Sequence, residues 1–391
     1  MVIKDGSIFT EKGCFEKGTV ITEESTITGY IPGDRFPVSS DNFKETVIDA
    51  SGCYVIPGLV DIHFHGCVGY DFCDGTMEAF GAIANYQLQH GITSICPATM
   101  TLPKERLLSI CREAVKFADR QESSKKETAN EASLVGIHLE GPFFSHEKRG
   151  AQNPDYLRPA DVQEVNELAI AADGLLKILS IAPELPGSME AIEELKDLVV
   201  LSVAHTTADY DTAIRAFKMG ATHVTHLYNA MPPYSHRAPG VIGAAADMED
   251  CDVELISDGI HVHPSVIRST FKMFRPEHVI LISDSMMAAG MPPGDYSLGG
   301  QSVKVAKGRL ATLLDGTIAG SATNLFDCMI YAISCGIPME QAIATATINP
   351  ARSIGMDRMI GSISEEKTAD LLVLNRDFTI RHIIHNGVLV K

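Results

Sequence analysis

Six side chains that can bind a metal ion or transfer a proton stand at the ends of short apolar stretches along this chain. In chain order they are His63, His65, Glu140, His205, His226 and Asp284. Imidazole nitrogens combined with carboxylate oxygens suit Zn²⁺ or Fe²⁺ better than Mg²⁺ or Ca²⁺. The sequence therefore predicts one or two divalent metal ions per chain, with zinc as the first expectation and iron as the alternative.

The pair His63 and His65 is informative because of its position. The HxH spacing alone is weak evidence, since the chain has 14 histidines and His261 with His263 repeats the spacing. Alternate residues of a strand point to the same face, so both rings of the first pair can face one interior. A histidine buried there would need a partner, and we expect a metal ion to be that partner.

Asp284 follows the last apolar stretch and is the natural general base. A bound metal lowers the pKa of a water molecule, and a nearby carboxylate can take its proton and later deliver it to a leaving nitrogen. The alternative, in which Asp284 is a plain metal ligand, leaves the reaction class unchanged. His138 and His223 lie deeper in their stretches, where we expect hydrogen-bonded core histidines.

The apolar stretches alternate with helical segments, a pattern typical of βα units and a parallel sheet. Helices are predicted at residues 77–89, 104–118, 160–172 and 188–196. Eight strands are predicted, at residues 54–63, 92–98, 134–140, 176–182, 199–205, 223–226, 253–257 and 279–283. In a (β/α)₈ TIM barrel the carboxyl ends of all strands form one mouth, where distant residues converge. A doubly wound open sheet is the rival, but no GxGxxG motif follows the first strand.

The two ends of the chain share short alternating stretches, at residues 19–28, 370–374 and 382–390. Neither end is large enough to fold alone, so we expect them to pair into one small β domain. The predicted bounds are residues 1–56 and 356–391 for the small domain and residues 57–355 for the catalytic barrel.

Composition restricts the possible partners. The formal net charge of -18 argues against nucleic acid, which needs a basic face, but one or two local cations can still hold an anionic small molecule. No run of eighteen apolar residues and no basic leader is present, so we expect no membrane partner and a cytoplasmic location. The nine scattered cysteines lack a CxxC pair and are expected to be reduced thiols.

The site residues stand in longer motifs that can be compared with known families. These are PGLVDIHFHG at 57–66, HLEGPF at 138–143, AHT at 204–206, THLYNAMPP at 225–233, RAPGVIG at 237–243, SDGIHVH at 257–263, SDSM at 283–286 and GTIAGSA at 316–322. Together they resemble the N-acetylglucosamine-6-phosphate deacetylases of the amidohydrolase superfamily. The resemblance spans nearly the whole chain.

This resemblance implies a metal-binding barrel with a small β-sandwich made from both chain ends, and a homodimer. Glu140, His205 and His226 would hold the main metal, while His63 and His65 would complete a second site that some members lack. Asp284 would be the catalytic acid and base in the hydrolysis of N-acetylglucosamine 6-phosphate to glucosamine 6-phosphate and acetate. Substrate contacts are expected from Ala151, Gln152, Asn229, Ala230, Arg237, Asp258, Gly259, Ile260, His261, Ile318, Ala319 and Gly320.

Two of these contacts invite a chemical argument. Arg237 suits the phosphate, because a guanidinium forms bidentate bonds to phosphate oxygens. Gln152 departs from the family, which usually has histidine in a KGAHNP-like segment where this chain reads RGAQNP. Glutamine can donate a hydrogen bond but carries no charge. We hypothesise that a second metal at His63 and His65, roughly 3.5 to 4 Å from the first, compensates; the competing idea is that His146 takes over.

Three alternative functions remain open at this point. The substrate could be N-acetylgalactosamine 6-phosphate or a cyclic amide, and a non-catalytic sugar-phosphate binding protein could use the same barrel. Cyclic-amidase relatives usually carry a modified lysine at the end of the fourth strand, whereas Lys177 lies near the beginning of that strand here. Retention of every predicted ligand and of Asp284 argues against a protein that only binds.

Overall fold

The computed structural model describes residues 1–33, 46–124 and 127–391, so residues 34–45 of the predicted small domain lie outside the described residues. The strands, in chain order, are β1 (Val2–Phe9), β2 (Phe15–Glu23), β3 (Thr26–Pro32), β4 (Val47–Asp49), β5 (Tyr54–Pro57), β6 (Leu59–Asp61), β7 (Gly66–Cys67), β8 (Tyr70–Asp71), β9 (Ile92–Ile95), β10 (Ser133–Leu134), β11 (Ile137–Glu140), β12 (Leu176–Ile181), β13 (Val200–Val203), β14 (His223–Val224), β15 (Asp252–Ile256), β16 (Val279–Ile282), β17 (Gly294–Leu298), β18 (Gln301–Val305), β19 (Ala311–Leu313), β20 (Leu371–Leu374), β21 (Ile380–His385) and β22 (Val388–Leu389). The α-helices are α1 (Met77–Gln89), α2 (Lys104–Ser123), α3 (Val162–Ala171), α4 (Ser188–Leu195), α5 (Tyr210–Met219), α6 (Gly240–Ala246), α7 (Pro264–Met273), α8 (Leu325–Ser334), α9 (Met339–Thr345) and α10 (Ile348–Ser353).

The strands in the middle of the chain run parallel and curl into a TIM-barrel-like sheet. β9 pairs with β6 on one side and β10 on the other, and β11 to β16 pair in chain order. A bridge between Ala98 and His138 joins the two sets. At the opposite edge the Asp284 amide donates to the His63 carbonyl oxygen at 2.9 Å, so the ends of the last and first strands also meet. The carboxyl ends of these strands therefore share one mouth, as the sequence predicts.

The two chain ends form one eight-stranded sheet, with the strand order β22-β21-β20-β5-β1-β2-β3 and β4 beside β1. β20, from the end of the chain, pairs antiparallel with β5, and β5 pairs parallel with β1. The prediction that the ends pair into one β unit is confirmed. Apolar side chains from both ends, including Ile3, Val20, Val55, Leu371 and Ile384, pack in one buried cluster.

The predicted first strand at residues 54–63 is wrong in its extent. Tyr54–Pro57 belongs to the sheet of the chain ends, and only Leu59–Asp61 joins the barrel-like sheet. Gly58 marks the crossing, because its amide donates to the Asp370 carbonyl oxygen of the terminal region. A Cβ at this position would come within 2.1 Å of the Thr93 hydroxyl oxygen. Both segments are buried, so hydropathy alone could not show where one sheet ends.

Helices predicted from the sequence at residues 77–89, 104–118, 160–172 and 188–196 agree in position with α1 to α4. α1 begins where the Thr76 hydroxyl accepts the Ala79 amide, as an N-cap should. α2 is longer than predicted, because polar residues continue it to Ser123. No helix in the described ranges is both long and apolar enough to cross a membrane.

A three-stranded antiparallel sheet, β17 to β19, is inserted between β16 and α8. The sequence analysis predicted no strand here. Its first hairpin turns at Gly299 and Gly300, both at positive φ, where glycine is tolerated without strain. Leu298 and Leu313 of this sheet line the cavity described below, so the insertion forms part of the wall around the site.

Candidate active site

Glu140, at the end of β11, lies at the centre of the predicted metal ligands. Its Oε1 is 3.2 Å from the Nε2 atoms of His205 and His226. Its Oε2 is 3.3 Å from His65 Nε2, and His63 Nε2 is 3.5 Å from Oε1. The structure thus brings all five predicted ligands together, each of them buried.

The donor atoms fit a metal ion. His205 Nδ1 bonds to the Lys148 carbonyl oxygen at 2.8 Å, so this nitrogen carries the hydrogen and a neutral ring presents its Nε2 lone pair to the site. That Nε2 lies 3.1 Å from His226 Nε2, and both atoms face the carboxylate of Glu140. His63 Nε2 is buried without a hydrogen-bond partner among the described residues. Two three-ligand groups share Glu140, one with His205 and His226 and one with His63 and His65.

The buried carboxylate and imidazole groups of the site shift one another's pKa. Burial disfavours the charged form of Glu140, but hydrogen bonds and charges from the surrounding histidines hold its pKa well below the ordinary value. Burial would lower the pKa of His65, yet the carboxylates of Asp284 and Glu140 raise it to about 10. Burial lowers the pKa of His205, which keeps that ring in the neutral form that binds metal. Glu140 is therefore ionised and His205 neutral, and these are the forms in which the two groups bind a metal ion.

Three site residues at strand ends adopt left-handed backbone conformations. The φ values are 44° for His205, 31° for His226 and 46° for Asp284. Such conformations cost on the order of 1–3 kcal/mol in residues other than glycine and concentrate at functional sites. The chain turns sharply directly after each strand, which directs these side chains into the mouth instead of continuing the sheet.

Asp284 is held by its backbone on both sides. Its amide donates to His63, and its carbonyl oxygen accepts the Ser321 amide at 2.7 Å. Its Oδ1 lies 3.4 Å from His65 Nε2. Burial raises the pKa of Asp284, but the His65 hydrogen bond and the neighbouring imidazoles lower it below its ordinary value overall. An ionised carboxylate at the edge of the ligand cluster is the state a general base requires.

A cavity of about 550 Å³ opens above the cluster. His65, Glu140, His205, His226 and Asp284 form its floor. Seven of the predicted substrate contacts also line it, namely Ala151, Gln152, Asn229, Ala230, His261, Ile318 and Gly320. The volume suits a small ligand such as a monosaccharide derivative.

The other predicted contacts lie elsewhere: Arg237, Asp258, Gly259, Ile260 and Ala319 do not line the cavity. Arg237 is exposed, in the loop before α6. Asp258 acts through its neighbour, since its Oδ2 bonds to His261 Nδ1 at 2.8 Å. Burial lowers the pKa of His261, but the hydrogen bond and charge of Asp258 raise it above its ordinary value overall. Asp258 therefore favours the cationic form of His261, whose ring lines the cavity.

Several lining residues were missed by the sequence analysis. They include Met100, Lys148, Arg149, Leu298, Gln301, Leu313, Asp315 and Thr317. The alternating stretch GDYSLGGQSVKV, with its Gly-Gly turn, is a hairpin signal that could have located the residues of β17 to β19. The position of Lys148 and Arg149 depends on the path of a loop, for which periodicity gives no signal.

Both ends of the Gln152 side-chain amide form hydrogen bonds in the site. Its amide nitrogen donates to Glu140 Oε2 at 2.8 Å, and its carbonyl oxygen accepts the Thr101 amide at 2.7 Å. These bonds fix which end of the amide faces the ligand cluster. His146, the suggested replacement for the missing histidine, is exposed and does not line the cavity.

Known proteins resemble this chain in sequence and in fold. The profile of the amidohydrolase family matches residues 54–390. An N-acetylglucosamine-6-phosphate deacetylase of Bacillus subtilis (strain 168) is 36% identical over 393 residues, covering 99% of this chain and 96% of its own. An N-acetylgalactosamine-6-phosphate deacetylase of Escherichia coli O157:H7 is 30% identical over 392 residues, covering 100% of this chain and 99% of its own.

A solved structure agrees with these matches. It is a mutant N-acetyl-D-glucosamine-6-phosphate deacetylase of Mycobacterium smegmatis in complex with N-acetyl-D-glucosamine-6-phosphate, with a TM-score of 0.90 and 30% identity. The match covers 100% of this chain and 99% of that one. The chain therefore belongs to the amidohydrolase family, and its resemblance to the N-acetylglucosamine-6-phosphate deacetylases of that family is confirmed.

Proposed function

We propose that this chain is a metal-dependent deacetylase that hydrolyses N-acetylglucosamine 6-phosphate to glucosamine 6-phosphate and acetate. The observation that carries the proposal is the convergence of five histidine and glutamate ligands with Asp284 on the floor of one cavity. The full-length similarity to deacetylases of N-acetylated amino-sugar phosphates supports this substrate class.

The chemistry divides between a metal and the protein. A divalent metal held by Glu140, His205 and His226 would supply Lewis-acid activation of water and of the amide carbonyl. Asp284, ionised beside His65, takes the proton of the attacking water and returns it to the leaving nitrogen. The Gln152 amide group, bonded to Glu140, keeps that carboxylate oriented towards the histidines. Zinc remains our first expectation and iron the alternative.

Three cationic groups can meet the phosphate within the described cavity. His261, Lys148 and Arg149 all line it. We propose that they bind the phosphate, because a dianion in a site with so many carboxylates needs local positive charge. Arg237, which the resemblance implies for this role, is exposed outside the cavity wall, and its contribution stays a prediction.

The finer architecture also belongs to this proposal. The hydrogen bond from the Asp284 amide to the His63 carbonyl oxygen, just beyond β16 and β6, supports a closed (β/α)₈ barrel. The apolar cluster shared by both chain ends supports a sheet folded over into a β-sandwich. We propose bounds of residues 1–56 and 356–391 for the small domain and 57–355 for the barrel. A homodimer and a cytoplasmic location remain predictions.

The second candidate substrate is N-acetylgalactosamine 6-phosphate, which the similarity to the Escherichia coli relative favours. The test is to compare kcat/KM for both phosphorylated epimers and for unphosphorylated N-acetylglucosamine. We expect the glucosamine epimer to be the best substrate and the unphosphorylated sugar the worst. A preference for the galactosamine epimer would replace the substrate assignment, and binding without acetate release would favour the non-catalytic alternative.

A further inference from the structure

Beneath the metal ligands, on β15, lies a carboxylate that the mechanism above does not use. Glu254 has no exposed surface. We propose that Glu254 is a positioning residue that presents His63 to the metal and fixes the strand end carrying His226. This inference rests on the proposed metal-dependent function, but it concerns metal binding and can be tested without turnover.

One oxygen of Glu254 holds two of the ligand-bearing strand ends. Its Oε2 lies 2.7 Å from His63 Nδ1 and accepts the His226 amide at 3.0 Å. His63 follows β6, and His226 follows β14. The two histidines belong to different three-ligand groups, so a single carboxylate oxygen sets the spacing between those groups.

The same bond fixes the tautomer of His63. A carboxylate oxygen only accepts hydrogen bonds, so the hydrogen of a neutral His63 ring lies on Nδ1 and the Nε2 lone pair faces Glu140. A carboxylate behind a metal-binding histidine also makes the ring a stronger ligand, and loss of such a partner typically costs 10–100-fold in metal affinity.

The donors and acceptors of the neighbouring hydrogen bonds show which atom faces the second carboxylate oxygen of Glu254, Oε1. His138 Nδ1 bonds to the Ile62 carbonyl oxygen, so in a neutral ring its Nε2 accepts from the Ser180 hydroxyl. The hydrogen bonds among the hydroxyl groups then all run in one direction. Ser180 accepts from Thr225, Thr225 accepts from Ser202, and Ser202 accepts from His223 Nδ1. His223 therefore donates from Nδ1 and leaves a lone pair on Nε2.

Glu254 Oε1 faces that lone pair at 3.8 Å and has no hydrogen-bond donor among the described residues. His138 Nδ1, which lies 3.9 Å away, is committed to a carbonyl oxygen, so these groups do not form a further metal site. A glutamine at position 254 would fit this pattern. Its carbonyl oxygen could accept from His63 and His226, while its NH₂ group would face His223 Nε2.

Glu254→Gln thus preserves the hydrogen bonds and removes only the charge. We expect Zn²⁺ affinity, measured by competition with a chromophoric chelator, to fall 10–100-fold. The visible spectrum of the Co²⁺-loaded variant should also change. Glu164→Gln is the matched control, because Glu164 is a buried carboxylate paired with Arg158 outside the cavity. Its metal affinity should equal that of the original protein.

Unchanged Zn²⁺ affinity and an unchanged Co²⁺ spectrum in folded Glu254→Gln would overturn the proposal. If that variant does not fold, ¹⁵N NMR of the original zinc-loaded protein with ¹⁵N-labelled histidine tests the proposal instead. The His63 signals are identified by their absence from the spectrum of His63→Gln. We expect the proton of His63 on Nδ1, and a proton on Nε2 would overturn the proposal. Both measurements read metal binding alone, so an absence of deacetylase activity would refute the proposed function and leave this inference standing.

Discussion

A single carboxylate, Asp284, combines the features needed to move a proton at this site. It is buried, held by backbone bonds to His63 and Ser321, and 3.4 Å from His65 Nε2. Its pKa is lowered by the neighbouring imidazoles despite the opposing effect of burial, so it is ionised at neutral pH. These contacts leave it free to act on substrate without reorganising the strand end.

Asp284→Asn should lower kcat by about two orders of magnitude or more, the scale of lost general acid–base catalysis. Metal content and KM should change little, because the five predicted ligands remain. Asp315→Asn is the control, since Asp315 also lines the cavity but lies outside the ligand cluster. Near-normal turnover in Asp284→Asn would show that the proton is moved by another group.

The charge on His261 predicts a pH dependence of substrate binding. Burial lowers its pKa, but Asp258 and, to a smaller extent, Asp284 raise it above the ordinary value overall, so the cation persists to higher pH than in a free imidazole and is lost as pH rises through that pKa. KM for the phosphorylated sugar should therefore rise as pH increases through that pKa, while the phosphate stays largely dianionic. His261→Asn should have a higher KM at pH 7 and lose this rise. The same KM–pH slope in both proteins would contradict the assignment.

Gln152 leads to a prediction about metal count. Its amide is neutral and bonded to Glu140, so more of the polarisation of the substrate carbonyl must come from metal. We expect full activity only at about two metals per chain, and a large loss of activity in His63→Gln. His146→Ala should have little effect, since that side chain is exposed. Full activity at one metal per chain, measured by titration of metal-free protein, would refute the compensation hypothesis.

At the scale of elements, the loop after β11 contacts the predicted metal ligands and lines the cavity. The Lys148 carbonyl oxygen accepts from His205 Nδ1, and Gln152 bonds to Glu140. Between them, a Cβ at Gly150 would come within 3.3 Å of the His205 ring. The loop therefore packs tightly on the ligands while the Arg149 side chain lines the cavity.

The position of Arg149 in this loop, on the cavity wall, predicts that its side chain binds the phosphate. Arg149→Ala should raise KM for the phosphorylated sugar far more than for the unphosphorylated one, because a charge-assisted contact is lost only when phosphate is present. Arg237→Ala is the comparison. Because Arg237 is exposed outside the cavity wall, this substitution should raise KM for the phosphorylated sugar less than Arg149→Ala does. Equal changes on both substrates in Arg149→Ala would assign that residue a structural role.

The sequence predicted the ligands more completely than the cavity walls, for physical reasons. Glu140 and His205 could be placed because the carboxyl ends of parallel strands meet at one mouth. The split at Gly58 could not be seen, since the chain stays buried on both sides of it. The direction of Asp258, towards His261 instead of the cavity, depends on three-dimensional packing that spacing does not encode.

At the scale of the whole molecule, the barrel-like sheet brings five ligands between residues 63 and 226 together with Asp284. The sheet of the chain ends is joined to it through Gly58. Five buried ligands of this kind are costly to leave without a cation, because buried charged and polar groups need partners. The proposed chemistry therefore depends on how the fold brings these five side chains together.

The most direct test of this account is acetate release by protein stripped of metal with a chelator and then reloaded with Zn²⁺. With N-acetylglucosamine 6-phosphate as substrate, we predict equal amounts of acetate and free amine from the reloaded protein and at least about a hundredfold lower rate from the stripped protein. The reloaded Asp284→Asn variant is the control and should bind metal but release little acetate. No acetate from the reloaded protein, or full activity in its stripped form, would contradict the account.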